Sequence, residues 1–324
     1  MAFKDNSDMP AEEFRTLVLK EERSAAGTIL WVTLNRPQAY NAVSMEMLEE
    51  LHTVFDSLHH PSSMLESLEP DFPRVVILRG AGGRAFSGGV DIKAADQGIG
   101  GAAWDYHDIR SQQLLSRLIE KFRSVPQPII AAVQGAASGA GFAFALASDV
   151  RIATQSSRFN AAFVKLGLTG TDMGTSYFLP RVAGLGIASE LLLTGRPIAA
   201  ERAYQVGLVN ELVPDNATAL EEAARKLAQE MLQCTAKGLQ LTKEQLNSLV
   251  MPSFALLLPS LYLLQGLQLT KEQLNSVADG GSLRTALVAE NSHQILLVND
   301  PVAKQIAQRW MRTLIDKSKA RSKI

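Results

Sequence analysis

The stretch PIIAAVQGAASGAGFAFALASDVRIA, residues 128–153, joins a buried-strand pattern to a run of small residues. Ile129 to Val133 is a nearly continuous apolar run, which is typical of a strand covered on both faces. Gly135 to Gly141 then contains no large side chain. Upstream, RVVILR at 74–79 is followed in the same way by a glycine-rich turn, Gly80 to Gly89. Strands that alternate with helical patterns predict an α/β fold built from crossover units.

Patterns on either side of this stretch extend the prediction to the whole chain. Residues 15–35 hold two β-rich runs with Gly27 between them, which predicts a hairpin. Helical patterns dominate the later part of the chain, as at Ala217 to Gln233. We therefore predict an α/β core over residues 15–213 and a helical region over residues 214–324.

The bulk composition narrows the class of partner. The chain has 324 residues and a formal net charge of -1. Nucleic acid is not the expected partner, because nucleic-acid binding usually shows as a basic excess. The single cysteine, Cys234, excludes an internal disulfide, and no cluster of ligand residues predicts a metal site.

Two segments bear on location. Leu249 to Gln265 carries no charge, but it is shorter than the ~20 residues a membrane span needs and contains Pro252 and Pro259. No membrane span is therefore expected. The ending Ser322-Lys323-Ile324 is close to the peroxisomal Ser-Lys-Leu address, which predicts a peroxisomal protein, or a cytoplasmic one if the ending is accidental.

The two small-residue loops are the candidate chemical feature. Each follows a predicted buried strand, and the carboxyl end of a strand is the usual ligand position in an α/β sheet. Residues without bulky side chains let a substrate approach main-chain N–H groups, so two facing loops could bind one carbonyl oxygen as an oxyanion hole. Tight packing of helix on strand would select the same small residues, and the spacing alone leaves both interpretations open.

Five blocks of the sequence together resemble the crotonase family, the enoyl-CoA hydratase/isomerase superfamily, in order and in near-family spacing. The blocks are LNRPQAYNAVS (34–44), AFSGGVDIK (85–93), residues 128–153 quoted above, GTSYFLPRVAG (174–184) and LLLTGRPIAAERAYQVGLVNELV (191–213). The resemblance implies a spiral of ββα units and a C-terminal helical region that packs in homotrimers or hexamers. It implies an acyl-CoA thioester as substrate and no separate cofactor, since coenzyme A is part of the substrate.

The same resemblance implies roles for individual residues. The oxyanion donors would be the main-chain N–H groups of Gly88 and Ala140. Substrate or CoA contacts would come from residues of the NRPQAYN segment, of the AFSGGVDIK block and of the two positions at which a hydratase has glutamates, namely Ala39, Tyr40, Ser87, Gly89, Asp91, Ile92, Lys93, Ala143 and Phe163. Ala39 and Tyr40 would lie near the adenine and Lys93 near the phosphates.

The acids depart from the family's hydratase pattern. The two glutamates that a hydratase uses fall at Ala143 and Phe163, and apolar residues cannot activate water or deliver a proton. One acid, Asp172, matches an aspartate of isomerase, hydrolase and dehalogenase branches. The resemblance therefore favours isomerase-like chemistry with Asp172 as acid/base. A catalytically silent acyl-CoA-binding subunit, a hydrolase with Asp172 as base or nucleophile, and a helix cap at Asp172 remain open.

An exact internal repeat lies in the predicted helical region. GLQLTKEQLNS occurs at 238–248 and again at 266–276. Two copies are too few for a solenoid. The repeat indicates a segment duplication or a gene-model artefact, with an inserted apolar helix for a partner or lipid surface as the functional alternative.

Overall fold

The chain opens with the predicted hairpin. The computed structural model describes residues 14–59, 72–91, 109–248 and 282–298. Strands β1 (Leu17–Ser24) and β2 (Gly27–Leu34) pair antiparallel, with Leu17 opposite Leu34. Gly27 has a φ of +132° at the turn, a backbone conformation that glycine adopts without a steric penalty.

The remaining strands fall into two sheets. They are β3 (Pro73–Gly80), β4 (Ala85–Ser87), β5 (Ile129–Val133), β6 (Ala136–Ser138), β7 (Val150–Thr154), β8 (Arg158–Asn160), β9 (Ile198–Ala199) and β10 (Glu211–Val213). The larger sheet has the order β1-β2-β3-β5-β7-β10 and is parallel from β2 onward. The smaller sheet has the order β4-β6-β8-β9.

The chain passes from the larger sheet to the smaller one three times, from β3 to β4, from β5 to β6 and from β7 to β8. The second and third passages each add one parallel neighbour to both sheets, so the backbone advances as a spiral. This architecture confirms the predicted α/β spiral. The apolar runs at 74–79 and 129–133 are central strands of the larger sheet, buried as their composition requires.

The helices cover both faces of the larger sheet. They are α1 (Met45–Leu58), α2 (Ile109–Ser124), α3 (Ala140–Ala147), α4 (Thr175–Thr194), α5 (Ala200–Gln205), α6 (Ala217–Leu232), α7 (Ala236–Ser248) and α8 (Leu283–Val298). Ser44 begins α1 by accepting a hydrogen bond from the Met47 N–H at 3.2 Å. Gly184, with a φ of +80°, interrupts α4.

One large apolar cluster fills the space between the sheets and the helices α1, α2 and α3. Its centre is a stack of aromatic rings in which Phe122 lies 4.3 Å from Phe55 and 5.4 Å from Phe144, measured between ring centroids. All three side chains are fully buried, so the stack fixes α3 against its neighbours. The N-terminus of α3 is thereby held in a constant position.

A second cluster lies on the opposite face of the larger sheet. Helix α6 packs there through Leu220, Ala224, Ala228 and Leu232, against strand residues such as Ile77. This helix belongs to the predicted helical region over residues 214–324, yet it covers the core sheet. Of the two repeat copies, 238–248 lies in α7, and 266–276 lies outside the described residues. Within the described part of the chain, no helix combines the length and apolar character of a membrane span.

Candidate active site

Two loops meet where the smaller sheet ends. The first glycine loop comprises residues 87–91 after β4, and the second glycine loop comprises residues 138–141 between β6 and α3. Because β4 and β6 are parallel neighbours, both loops leave the same sheet edge. A Cβ placed on Gly89 would lie 3.0 Å from the Ser138 carbonyl oxygen and 3.7 Å from the Ala140 nitrogen. The two loops therefore face each other at contact distance, as the oxyanion-hole hypothesis requires.

The contact tolerates no side chain at its tightest point. A Cβ placed on Gly141 would lie 2.5 Å from the carbonyl oxygen of Ser87 and 2.7 Å from its Cβ. Distances this short are not found in packed proteins, so position 141 requires glycine for the loops to keep their separation. Ser87 itself is fully buried beneath the contact, and its Oγ accepts a hydrogen bond from the Gly89 N–H at 3.3 Å.

The main-chain N–H groups of the two loops are mostly engaged. Gly88 N–H donates to the Tyr40 carbonyl oxygen at 2.8 Å, and Asp91 N–H donates to Val43 at 2.9 Å. These bonds correct one sequence prediction, because a Gly88 amide that already has an acceptor is not available to a substrate oxygen. In the described residues, no acceptor lies within hydrogen-bonding distance of the N–H groups of Val90 and Ala140. Each loop therefore offers an available donor, Val90 on the first, which the sequence reasoning missed, and the predicted Ala140 on the second.

The NRPQAYN segment forms the wall beside the first glycine loop. Tyr40 and Asn41 both have left-handed backbone conformations, with φ of 55° and 53°. The buried Asn41 side chain holds this turn by donating to the carbonyl oxygens of Ala81 and Ala85 at 3.0 and 2.8 Å. The Tyr40 ring is exposed and lies under the guanidinium of Arg84, 4.4 Å from its centroid.

Other predicted substrate contacts have different surroundings. Asp91 forms an ion pair with Arg36 at 2.7 Å, and Arg36 also donates to the Ala42 carbonyl oxygen at 2.7 Å. This ion pair connects the first glycine loop to the NRPQAYN segment, so Asp91 has a structural role. Ala39 ends the short 3-10 helix Pro37–Ala39 of that segment. The predictions for Ile92 and Lys93 fall outside the described residues.

The two positions at which a hydratase carries glutamates are apolar and buried. Ala143 lies in the first turn of α3 and is fully buried. Phe163 lies in the short 3-10 helix Ala162–Leu166, and its ring edge would be 3.5 Å from a Cβ placed on Gly139. Phe163 therefore stands against the second glycine loop, and its contact with a substrate stays a prediction.

Asp172 lies in the segment that leads into α4 and is 3% exposed. Its Oδ1 accepts a hydrogen bond from the Met173 N–H at 2.8 Å, and its own N–H donates to Thr175 Oγ1 at 3.0 Å. The alternative that Asp172 caps a helix starting near Met173 is wrong in detail. Helix α4 begins at Thr175 with Gly174 as its N-cap.

The acceptor for the first turn of α4 comes from the other end of the chain. The Glu290 carboxylate, on α8, accepts hydrogen bonds from Gly174 N–H at 2.5 Å and from Ser176 N–H and Oγ at 3.0 and 2.6 Å. Glu290 is fully buried. N–H groups in the first turn of a helix have no partner within their own helix, and the Glu290 carboxyl oxygens satisfy them. Glu290 thus fixes the segment that carries Asp172.

The sequence profile of the enoyl-CoA hydratase/isomerase family matches residues 24–254, which include both glycine loops and Asp172. The chain belongs to this family. "Probable enoyl-CoA hydratase echA12" of Mycobacterium bovis is 38% identical over 222 residues, which cover 68% of this chain and 74% of that protein. "1,2-epoxyphenylacetyl-CoA isomerase" of Escherichia coli K12 is 34% identical over 221 residues, 68% of this chain and 79% of that protein.

Solved structures of the enoyl-CoA hydratase/isomerase family share the fold. The crystal structure of a monofunctional enoyl-CoA isomerase from M. smegmatis superposes with a TM-score of 0.56 at 36% identity, covering 72% of this chain and 92% of that one. The relatives named here are bacterial and give the predicted peroxisomal address no support. The tripeptide itself lies outside the described residues.

The stability of this family member should depend on the protonation of Glu290. Burial raises the pKa of Glu290 from 4.5 to about 7, although the bonds from Ser176 and Gly174 oppose the shift. The folded state then binds this proton more tightly than the unfolded state, so the stabilisation is complete below pH 4.5 and is lost as the pH rises through about 7. Glutamine cannot titrate. We expect the advantage of wild type over Glu290→Gln in free energy of unfolding to shrink by roughly 3 kcal/mol between pH 4.5 and 8.

Urea unfolding of both proteins at several pH values measures this difference directly. A difference that stays constant across the range would show that Glu290 is ionised in the fold throughout. The comparison cancels the contribution of carboxylates present in both proteins, such as Glu190, whose pKa is lowered by its hydrogen bond with Arg202.

Val90 and Glu290 are the two functional residues that the sequence reasoning missed, and they left different signals in the sequence. The availability of the Val90 amide depends on which neighbouring amides already have acceptors, and no side-chain pattern records this. Glu290 did leave a signal, because it follows the buried Ala286 and Leu287 at helical spacing. A lone acid on the apolar face of a helix calls for a buried partner.

Proposed function

We propose that the protein binds an acyl-CoA thioester between the two glycine loops and moves a proton on its acyl chain. The observation that carries the proposal is the pair of available N–H groups, Val90 and Ala140, on loops in van der Waals contact. Two such donors stabilise the negative charge that develops on a thioester oxygen when the neighbouring carbon loses a proton. Ala140 is also the first residue of α3, so the helix dipole favours the same charge.

The reaction we propose is a double-bond shift. Asp172 takes a proton from one carbon, the enolate oxygen is held by Val90 and Ala140, and the same carboxyl returns a proton to another carbon. No water enters the product. Isomerisation is favoured over hydration because Ala143 and Phe163 offer no second acid or base, and their burial keeps water from their surroundings.

The nucleotide end of coenzyme A has a candidate contact in the exposed Tyr40 ring and the Arg84 guanidinium stacked on it. An aromatic face suits an adenine base, and a guanidinium suits a phosphate. The Tyr40 carbonyl accepts the hydrogen bond from Gly88, so this contact lies next to the first glycine loop. We also propose a homotrimer or hexamer, for which the exposed Leu246 and Val288 of α7 and α8 provide apolar surface.

A second candidate is an acyl-CoA-binding subunit without catalysis. The hydrogen bond from Met173 N–H to the Asp172 carboxylate favours this alternative, because it gives Asp172 a structural reason to be present. The two candidates share the binding site and differ only in turnover.

A panel of thioesters separates the candidates. The purified protein is incubated with 2-enoyl-, 3-enoyl- and dienoyl-CoA, products are followed by ultraviolet absorbance and mass spectrometry, and binding is measured by calorimetry. The proposal expects a product of unchanged mass with a shifted double bond. Binding without conversion of any thioester would establish the non-catalytic subunit, and a product heavier by one water would establish a hydratase.

A further inference from the structure

Among the described side chains of helix α7, the buried one is a lysine. The Lys243 ammonium donates to the carbonyl oxygens of Phe122 and Gln127 at 3.0 and 2.8 Å and lies 2.9 Å from Asp149 Oδ2. Lys243 is 4% exposed. The three oxygens come from the end of α2, the turn after it and the start of β7, so they form a preformed cation pocket.

Asn247, one turn further along α7, makes the second attachment. Its Nδ2 donates to the Arg123 carbonyl oxygen at 2.8 Å, and its Oδ1 accepts from Arg123 Nε at 3.0 Å. Leu241 and Leu246 of the same helix contribute little to the attachment, since they are 44% and 60% exposed. We call the cation pocket together with Arg123 the α7 docking site.

The chain carries a second segment with the same side chains. Residues 266–276 repeat residues 238–248 without a change, so Lys271 and Asn275 stand where Lys243 and Asn247 stand in the first copy. A site that recognises its helix through these two residues cannot distinguish the copies by side-chain chemistry.

The long connections do not distinguish them either. With the first copy docked, residues 249–282 form the long connection, from the end of α7 to α8. With the second copy docked in the same register, residues 233–263 form it, from the end of α6 to the docked helix. These connections are 34 and 31 residues long, and the closure probabilities of such similar loops differ by only about 15%.

We propose that the α7 docking site binds either repeat copy, so that the folded protein exchanges between a state with residues 238–248 docked and a state with residues 266–276 docked. One contact favours the first copy. Thr235 Oγ1 accepts a hydrogen bond from the Gly238 N–H at 3.1 Å, whereas the residue at the same place before the second copy is Leu263. A lost helix cap corresponds to about fivefold in population.

Three variants of the full chain test the exchange, Lys243→Met, Lys271→Met and the double variant. The ratio of folded to unfolded protein is obtained from urea unfolding of each. Exchange predicts that Lys243→Met lowers this ratio only about sixfold, because the second copy takes over the site. Lys271→Met should lower it by less than about twofold, and the double variant by on the order of 100-fold, because both states then lose the buried cation.

The decisive result is whether residues 266–276 restore the stability of the Lys243→Met variant. If Lys243→Met alone is as unstable as the double variant, or fails to fold, only the first copy docks and the proposal is overturned. Additive losses, which indicate two separate sites, overturn it as well. A double variant as stable as wild type would show that the lysines do not hold either copy, which also rejects the proposal.

Discussion

Asp172→Asn should lower turnover of an acyl-CoA thioester by about 10²–10⁴-fold, the usual contribution of a general acid or base. Asparagine keeps the shape of the side chain, and its Oδ1 can still accept the hydrogen bond from Met173 N–H. The segment leading into α4 should therefore hold its position. Stopped-flow absorbance gives the turnover rate, and calorimetry gives the affinity for the thioester, which should stay within about twofold since no binding donor is removed.

The same variant distinguishes a catalytic role from a structural one. If Asp172 only stabilises the segment leading into α4, the Asp172→Asn variant should turn over substrate like wild type. Asp172→Ala should instead lower the unfolding midpoint. A variant that loses both affinity and stability would place Asp172 among the residues that shape the site. Only selective loss of turnover supports its proposed role as acid and base.

Gly141→Ala should disable the site by separating the two glycine loops. The added Cβ would lie 2.5 Å from the Ser87 carbonyl oxygen and 2.7 Å from the Ser87 Cβ. Because the first is a main-chain atom and the Ser87 side chain is fully buried, one loop must move. A misplacement of the Val90 or Ala140 donor is expected to cost about 10²–10³ in turnover. The free energy of unfolding should fall by about 1–3 kcal/mol from overpacking.

Gly186→Ala is the matched control for this substitution. Gly186 lies in α4, and a Cβ placed on it would meet nothing within 4 Å. We expect unchanged turnover and a gain in stability of up to about 1 kcal/mol. Wild-type turnover in Gly141→Ala would mean that the contact between the loops is not where the reaction occurs.

The parts of the fold that the sequence predicted are those with a strong local pattern. The runs at 74–79 and 129–133 appear as β3 and β5 because a strand buried on both faces must be apolar along its length. The short strands β4, β6 and β8 have three residues each and left no periodicity to read. Their pairing is decided by the spiral as a whole.

The candidate site was predictable to the level of loops but not of individual donors. Small residues marked both glycine loops, yet they could not show that Gly88 N–H already has an acceptor while Val90 N–H has none among the described residues. The partner of Glu290 was beyond local reasoning because more than 100 residues separate Glu290 from Gly174. Contacts of that kind follow from tertiary packing, which only the structure displays.

The most direct test of the central claim is a reaction in water labelled with heavy oxygen, using 3-enoyl-CoA and either wild type or Asp172→Asn. We predict that wild type yields 2-enoyl-CoA without the label and that the variant yields almost none. Label in a hydroxyl group of the acyl-CoA product would contradict the account in favour of hydration. Label in a free carboxylate, with release of coenzyme A, would contradict it in favour of hydrolysis.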